Sequence, residues 1–110
     1  MQRFHVIKTV RFEEKCADLT AVERQRVERF LEQLAENQGM VGKPLGFHFF
    51  REKKFNGKRL YFLVYPEWKA VLAVGISGKK VQPCTIAEIK ANLSSYKEFV
   101  QIFLMNRSLI

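Results

Sequence analysis

Between Arg51 and Arg59 the sequence REKKFNGKR gathers five cations and one carboxylate around an Asn-Gly pair. Guanidinium and ammonium groups bind phosphate and stabilise charge that builds on its oxygens, so the chemistry within reach is recognition of, or transfer at, a polyanion. Strand-forming residues flank Asn56-Gly57 on both sides, and both turn residues tolerate the positive φ that a two-residue turn demands. The cations are therefore expected on a rigid hairpin, which holds a phosphate in one geometry where a floppy tail only attracts it.

Alternation along a strand sends Arg51 and Lys53 one way and Glu52 and Lys54 the other. On the next strand Arg59, Tyr61, Leu63 and Tyr65 share a face, while Leu60, Phe62 and Val64 form the greasier one. Antiparallel sheets commonly keep one packed and one solvated face, so Arg59, Tyr61 and Tyr65 are expected on the open side. If the register brings Arg51 and Lys53 to that side, a basic and aromatic patch results, with Lys79 and Lys80 at its rim. Such a patch suits RNA, because cations hold phosphates and aromatic planes stack on unpaired bases. His5 and His48 have no His or carboxylate at ligand spacing, so no metal is expected. No Ser-His-Asp arrangement, P-loop or cofactor motif is present in the sequence.

The 110 residues suit one domain, 1–110, and the composition, 47% hydrophobic and 27% charged, is that of an ordinary soluble protein. No apolar run of about 18 residues suggests a membrane span, and MQRFHVIKTV lacks the apolar core of a secretory signal, so the cytoplasm is expected. Cys16 and Cys84 stand alone and read as small buried thiols in a reducing compartment. The net charge of +8 is unevenly spread: residues 42–80 hold nine cations against Glu52 and Glu67, whereas residues 1–41 are balanced. Nearly all the excess thus falls on the segment read as sheet, the footprint of a polyanion-binding face. The rival reading is a solvated surface that aids solubility.

The elements that must position these residues begin with a short strand around Phe4, Val6 and Lys8. A helix over Val10–Ala17 follows, then a second in which Thr20 and Glu23 form a capping-box pattern and Val27, Phe30, Leu31 and Leu34 recur at helical spacing. The mixed charges on its other face read as solvated surface. Gly39 ends it, and GKPLG at 42–46 is a loop. Strands over 47–55, 59–65 and 69–77 form an antiparallel meander. Pro83 breaks the chain, and Thr85 with Glu88 suggests a second capping box opening one long helix, whose apolar stripe runs from Ile86 through Tyr96 to Phe103 and packs on the sheet.

This order of strand, two helices, GKPL-like loop, basic hairpin, strand ending near ISGKK and final helix resembles the RelE/ParE toxin superfamily of toxin-antitoxin systems. The residues that carry the likeness are GKPLG at 42–46, REKKFNGKRLYFLVY at 51–65 and AVGISGKKVQPCTIAEIKANLSSY at 73–96. The chain looks most like the RelE-like mRNA interferase branch. The resemblance implies an α+β fold and a ribosome-dependent, metal-independent and cofactor-free endoribonuclease. In that chemistry a 2′-hydroxyl attacks the adjacent phosphate and leaves a 2′,3′-cyclic phosphate, and an antitoxin protein, expected to bring an acidic amphipathic helix, neutralises the enzyme. By position it implies catalytic Arg51, Lys53, Arg59 and Lys80, with Lys54, Lys58, Tyr61, Tyr65, Lys79 and Gln82 as RNA contacts and Lys53 or Glu52 as general base. Many members of that branch carry Tyr or His soon after the last strand. This chain has Val81, Gln82, Pro83 and Cys84 there, and Tyr96 is the nearest aromatic candidate. A ParE-like gyrase inhibitor, or a relative that binds without turnover, remains open at the level of sequence.

Overall fold

The computed structural model describes residues 3–108. Met1 and Gln2, the start of the expected signal-free N-terminus, and Leu109 and Ile110 lie outside the described residues. The elements run β1 (His5–Lys8), α1 (Val10–Ala17), α2 (Ala21–Glu36), β2 (Lys43–Pro44), β3 (Phe50–Phe55), β4 (Lys58–Tyr65), β5 (Ala70–Gly78), α3 (Gln82–Ala91) and α4 (Leu93–Ser108). They form the α+β architecture expected, with one five-stranded sheet in the order β1-β5-β4-β3-β2. β1 lies parallel to β5, and the other neighbours are antiparallel.

Local chemistry fixes the first helices. Thr9 caps α1, its Oγ1 accepting from Phe12 N at 3.1 Å. The capping box of α2 forms as its sequence suggests: Glu23 N donates to Thr20 Oγ1 at 3.2 Å and Thr20 N donates to Glu23 Oε1 at 3.0 Å. Beyond α2, Gly39 at φ 75° lets its N–H reach Leu34 O at 2.8 Å, and a Cβ there would lie 2.7 Å from Val64 Cγ2. Helix termination and close packing on the sheet therefore both need this glycine.

Both faces of the sheet are covered. Phe12, Val27, Phe30 and Leu34 from α1 and α2 pack against Leu60, Phe62, Val64 and Val71. On the opposite face Ile89 and Val100 from α3 and α4 pack against Tyr61, Leu63, Tyr65 and Leu72. This corrects the expectation of an open sheet face. Tyr61 and Tyr65 are buried rather than displayed. The physical reason is visible in β4 itself, where LYFLVY is apolar at both parities, the pattern of a strand buried on two sides.

Other expectations also change. The strand expected from residue 47 begins at Phe50; Phe47 and Phe49 are exposed and stack on each other with ring centroids 5.3 Å apart. Within the expected loop at 42–46, Lys43 and Pro44 pair with Glu52 and Arg51 as a two-residue edge strand. The single long C-terminal helix is two helices that part at Asn92, whose Nδ2 donates to Glu88 O at 2.8 Å. A side-chain amide that takes a helix carbonyl competes with the next turn. Pro83 does not precede α3 but occupies its first turn, where a missing N–H costs nothing. The second capping box does not form, because Thr85 Oγ1 donates to Val81 O and Glu88 pairs with Arg11. Cys16 is half-buried, but Cys84 is exposed, so the expectation of two buried thiols fails for Cys84.

Candidate active site at the end of the basic hairpin

The two-residue turn fixes which hairpin side chains meet. Counting outward from Asn56-Gly57, Phe55 pairs with Lys58, Lys54 with Arg59, Lys53 with Leu60 and Glu52 with Tyr61. Directly paired residues share a face. Arg59 therefore stands with Lys54, Glu52 and Tyr61, while Arg51 and Lys53 turn toward α2. This corrects the expected grouping of Arg51, Lys53 and Arg59 as one set.

Arg51 is committed to the backbone. Its Nε donates to Val41 O at 2.9 Å, its Nη2 to Gly42 O at 3.0 Å and its Nη1 to His48 O at 3.4 Å, and the residue is only 8% exposed. It clamps the loop that leads into β3. Lys53 holds its ammonium 5.3 Å from the Phe30 ring centroid, a cation–π contact, and lines a groove with Arg26 and Arg29 of α2. That helix face was expected to be solvated surface only. Lys58 is engaged as well, donating to Glu23 Oε2 at 2.8 Å. The ion pair holds the Glu23 carboxyl below its usual range, with the Lys58 hydrogen bond the largest cause.

What gathers on the Arg59 face is a compact polar cluster. Glu52 is 4% exposed, and its Oε2 accepts from Gln82 Nε2 at 3.1 Å. Arg59 Nε lies 3.7 Å from the same oxygen, too far for a hydrogen bond. Arg59 Nε is the one buried side-chain polar atom among the described residues with no hydrogen-bond partner. An N–H left unsatisfied this way costs free energy until an acceptor arrives. Beside it Tyr61 Oη and Ser77 Oγ are hydrogen-bonded at 2.8 Å, and Ser77 is the direct β5 partner of Arg59. Burial, the largest cause, pushes the Tyr61 phenol up, so it stays neutral and serves as a hydrogen-bonding group.

Gly42 sets the height of this cluster. It adopts φ +76°, and a Cβ on it would sit 2.2 Å from Glu52 O. Only glycine lets β2 close so tightly over the strand that carries Glu52.

Neither a protein-family model nor a curated protein matches the chain. Solved structures do. A mutant of the E. coli toxin RelE in the free state superposes with a TM-score of 0.67 at 15% identity, covering 81% of this chain and 97% of that one. The toxin-antitoxin complex RelBE2 from Mycobacterium tuberculosis gives 0.62 at 20% identity, covering 72% and 94%. The intact E. coli RelBE toxin-antitoxin complex gives 0.61 at 18% identity, covering 68% and 95%. The chain has the RelE toxin fold.

On this RelE-like sheet the remaining candidates divide clearly. Lys54 is exposed beside Arg59, and Lys79 and Lys80 are exposed just beyond β5. Gln82, expected only as a contact to substrate, opens α3 and holds Glu52. Tyr65 stacks on Trp68 with centroids 5.4 Å apart under α4, remote from solvent. Tyr96 is half-buried and lines a pocket with Ser77. Ser77 was not among the residues expected at the site, although its position opposite Arg59 follows from the hairpin register once β5 is added. Among the described residues no three His, Cys, Asp or Glu side chains cluster as metal ligands, and no helix is long and apolar enough to cross a membrane.

Proposed function

We propose that this chain is the toxin of a toxin-antitoxin pair, a single domain over 1–110 that acts in the cytoplasm as a ribosome-dependent endoribonuclease without metal or cofactor. The observation that carries the proposal is the buried Glu52 carboxylate held between Gln82 and Arg59, with one Arg59 N–H unsatisfied. In this reading Glu52, rather than Lys53, is the general base. It takes the proton of a 2′-hydroxyl, whose oxygen attacks the adjacent phosphorus, and the 5′-oxygen departs with a proton from Lys80. Arg59, with Lys54 across the ladder, stabilises the charge on the phosphoryl oxygens. The product strand ends in a 2′,3′-cyclic phosphate. Lys79 adds to phosphate binding at the rim, and Arg51 keeps its loop in place without touching the RNA.

A protein partner belongs to the same proposal, since some of the RelE structures similar to this chain are complexes with the antitoxin RelB or a peptide of it. The wide apolar stripe of α4, on which Phe99, Ile102 and Met105 stay exposed, suits an amphipathic helix. The deciding experiment is cleavage of mRNA on translating ribosomes with the ends mapped. Cyclic phosphate ends, lost in Glu52→Gln and in Arg59→Ala, are expected. Intact message with the folded parent protein sinks the proposal, and gyrase-linked DNA breaks without ribosome effects point instead to an inhibitor on the same fold.

A further inference from the structure

Glu52 and Arg59 are diagonal neighbours in the ladder, since Glu52 pairs with Tyr61 and Arg59 with Lys54. Long side chains on one face meet across such a diagonal. An arginine this close to a buried carboxylate ordinarily closes on it, because a charge-assisted N–H···O bond of about 2.8 Å is stronger than any neutral one either group could make. Here the approach stops at 3.7 Å, and Arg59 Nε is left buried without a partner. The amide of Gln82 holds the contested oxygen instead, its Nε2 donating to Oε2 at 3.1 Å. A neutral donor has taken the place of a cation.

Gln82 reaches Glu52 from outside the sheet. It is the first residue of α3, which is anchored in the core by buried Ile89 and to α1 by the Arg11–Glu88 ion pair. The donor is therefore fixed by a different layer from the hairpin that carries both charges. Tyr61 Oη and Ser77 Oγ, beside Arg59, are bonded to each other at 2.8 Å and leave its Nε unsatisfied. A shift of Oε2 by about 0.9 Å would close the gap to a charge-assisted bond. Once closed, the pair would neutralise the guanidinium that a phosphate needs and occupy the carboxylate that a base needs. We infer that Gln82 is a positioning residue that withholds Glu52 from Arg59, so that the two charges stay separately available to one phosphodiester. The inference rests on the nuclease reading for its substrate, while the competition between Gln82 and Arg59 for one oxygen belongs to the free protein.

Gln82→Met keeps the length of the side chain and removes the donor. In the full chain the Arg59 Nε–H resonance, assigned by its loss in Arg59→Lys, is expected to move downfield in Gln82→Met as the bond to Glu52 forms. Inorganic phosphate should then bind about tenfold more weakly, the scale of one hydrogen bond to a charged group. The kcat for mRNA cleavage should fall about tenfold or more, while the urea midpoint holds or rises. A role in stability alone predicts the opposite pattern: a lowered midpoint, because buried Glu52 loses a donor, with the Arg59 resonance and the phosphate affinity unchanged. That result overturns the inference. Gln82→Ala carries the same test if Gln82→Met fails to fold. Gln82→Lys restores a donor to Glu52 and should return the resonance toward its parental position; the same downfield shift there as in Gln82→Met also overturns the inference. A shifted resonance in a chain that cuts no RNA leaves Gln82 in this role and removes the nuclease, and cleavage with an unmoved resonance in Gln82→Met does the reverse.

Discussion

Replacing Arg51 separates a structural cation from a catalytic one. Arg51→Met keeps most of the aliphatic stem and removes every N–H, so it isolates the bonds to Val41, Gly42 and His48. Hydrogen bonds from charged groups contribute about 1.5–3 kcal/mol each, and an acceptor that can turn to water lowers the loss. Two of the three bonds are short and one is long at 3.4 Å, so we expect a total of about 3 kcal/mol. Unfolding entropy near 2.1 cal/mol/K per residue over 110 residues gives about 0.23 kcal/mol/K, hence a fall in Tm of about 13 °C. Thermal unfolding followed by circular dichroism measures it, with mRNA cleavage assayed well below the new Tm. Cleavage there should stay within about tenfold of the parent, because the guanidinium is buried and spent on the carbonyls of Val41, Gly42 and His48. A variant with parental Tm and no cleavage would refute this account and return Arg51 to the reacting centre.

Thr20→Ala removes the capping box of α2 and should cost about 1 kcal/mol in urea unfolding, with cleavage unchanged. Gly42→Ala forces a Cβ against Glu52 O at a positive φ, so the unfolding free energy from urea titration should fall by about 1–3 kcal/mol and the cleavage rate should fall with it. Glu23 has its pKa lowered in the folded state, chiefly by Lys58; its contribution is full above the ordinary glutamate range and is lost as pH falls through the depressed value. Lys58→Gln should therefore flatten the acid limb of stability against pH, read from denaturant midpoints below about pH 5. His5 has its pKa lowered by burial first and Arg107 second, so its neutral form is favoured in the fold and the contribution fades as pH drops below about 6.5. Amide exchange in α4, corrected for intrinsic rate, should quicken between pH 7 and 5, and His5→Phe should remove that dependence.

Features set by near neighbours were legible in the sequence. Thr20 and Glu23 announce their own capping box, and Asn56-Gly57 announces its turn, because each needs only a few adjacent residues. Most of what failed depended on elements distant in sequence. Whether Tyr61 is exposed is decided by α3 and α4, and the misreading could have been avoided by noticing that LYFLVY and AVLAV lack alternation. Whether Arg51 or Glu52 joins Arg59 is decided by counting outward from the turn, which the sequence permits and strand alternation within one segment does not. The contact of Gln82 with Glu52 had no signal at all, since it needs the placement of the α3 N-terminus over β3.

The hairpin counting has a consequence for how this chain tolerates change in length. Substituting Asn56 or Gly57 strains the turn but leaves every pair in place. Inserting a single residue there, unless a bulge absorbs it, reverses the parity of one strand against the other. Arg59 would then stand with Lys53 and lose Glu52, so the polar cluster would vanish with each of its members still present. Insertions of two residues would shift the ladder but keep the faces. The number of residues in the turn, odd or even, is thus as much a part of the site as any side chain within it.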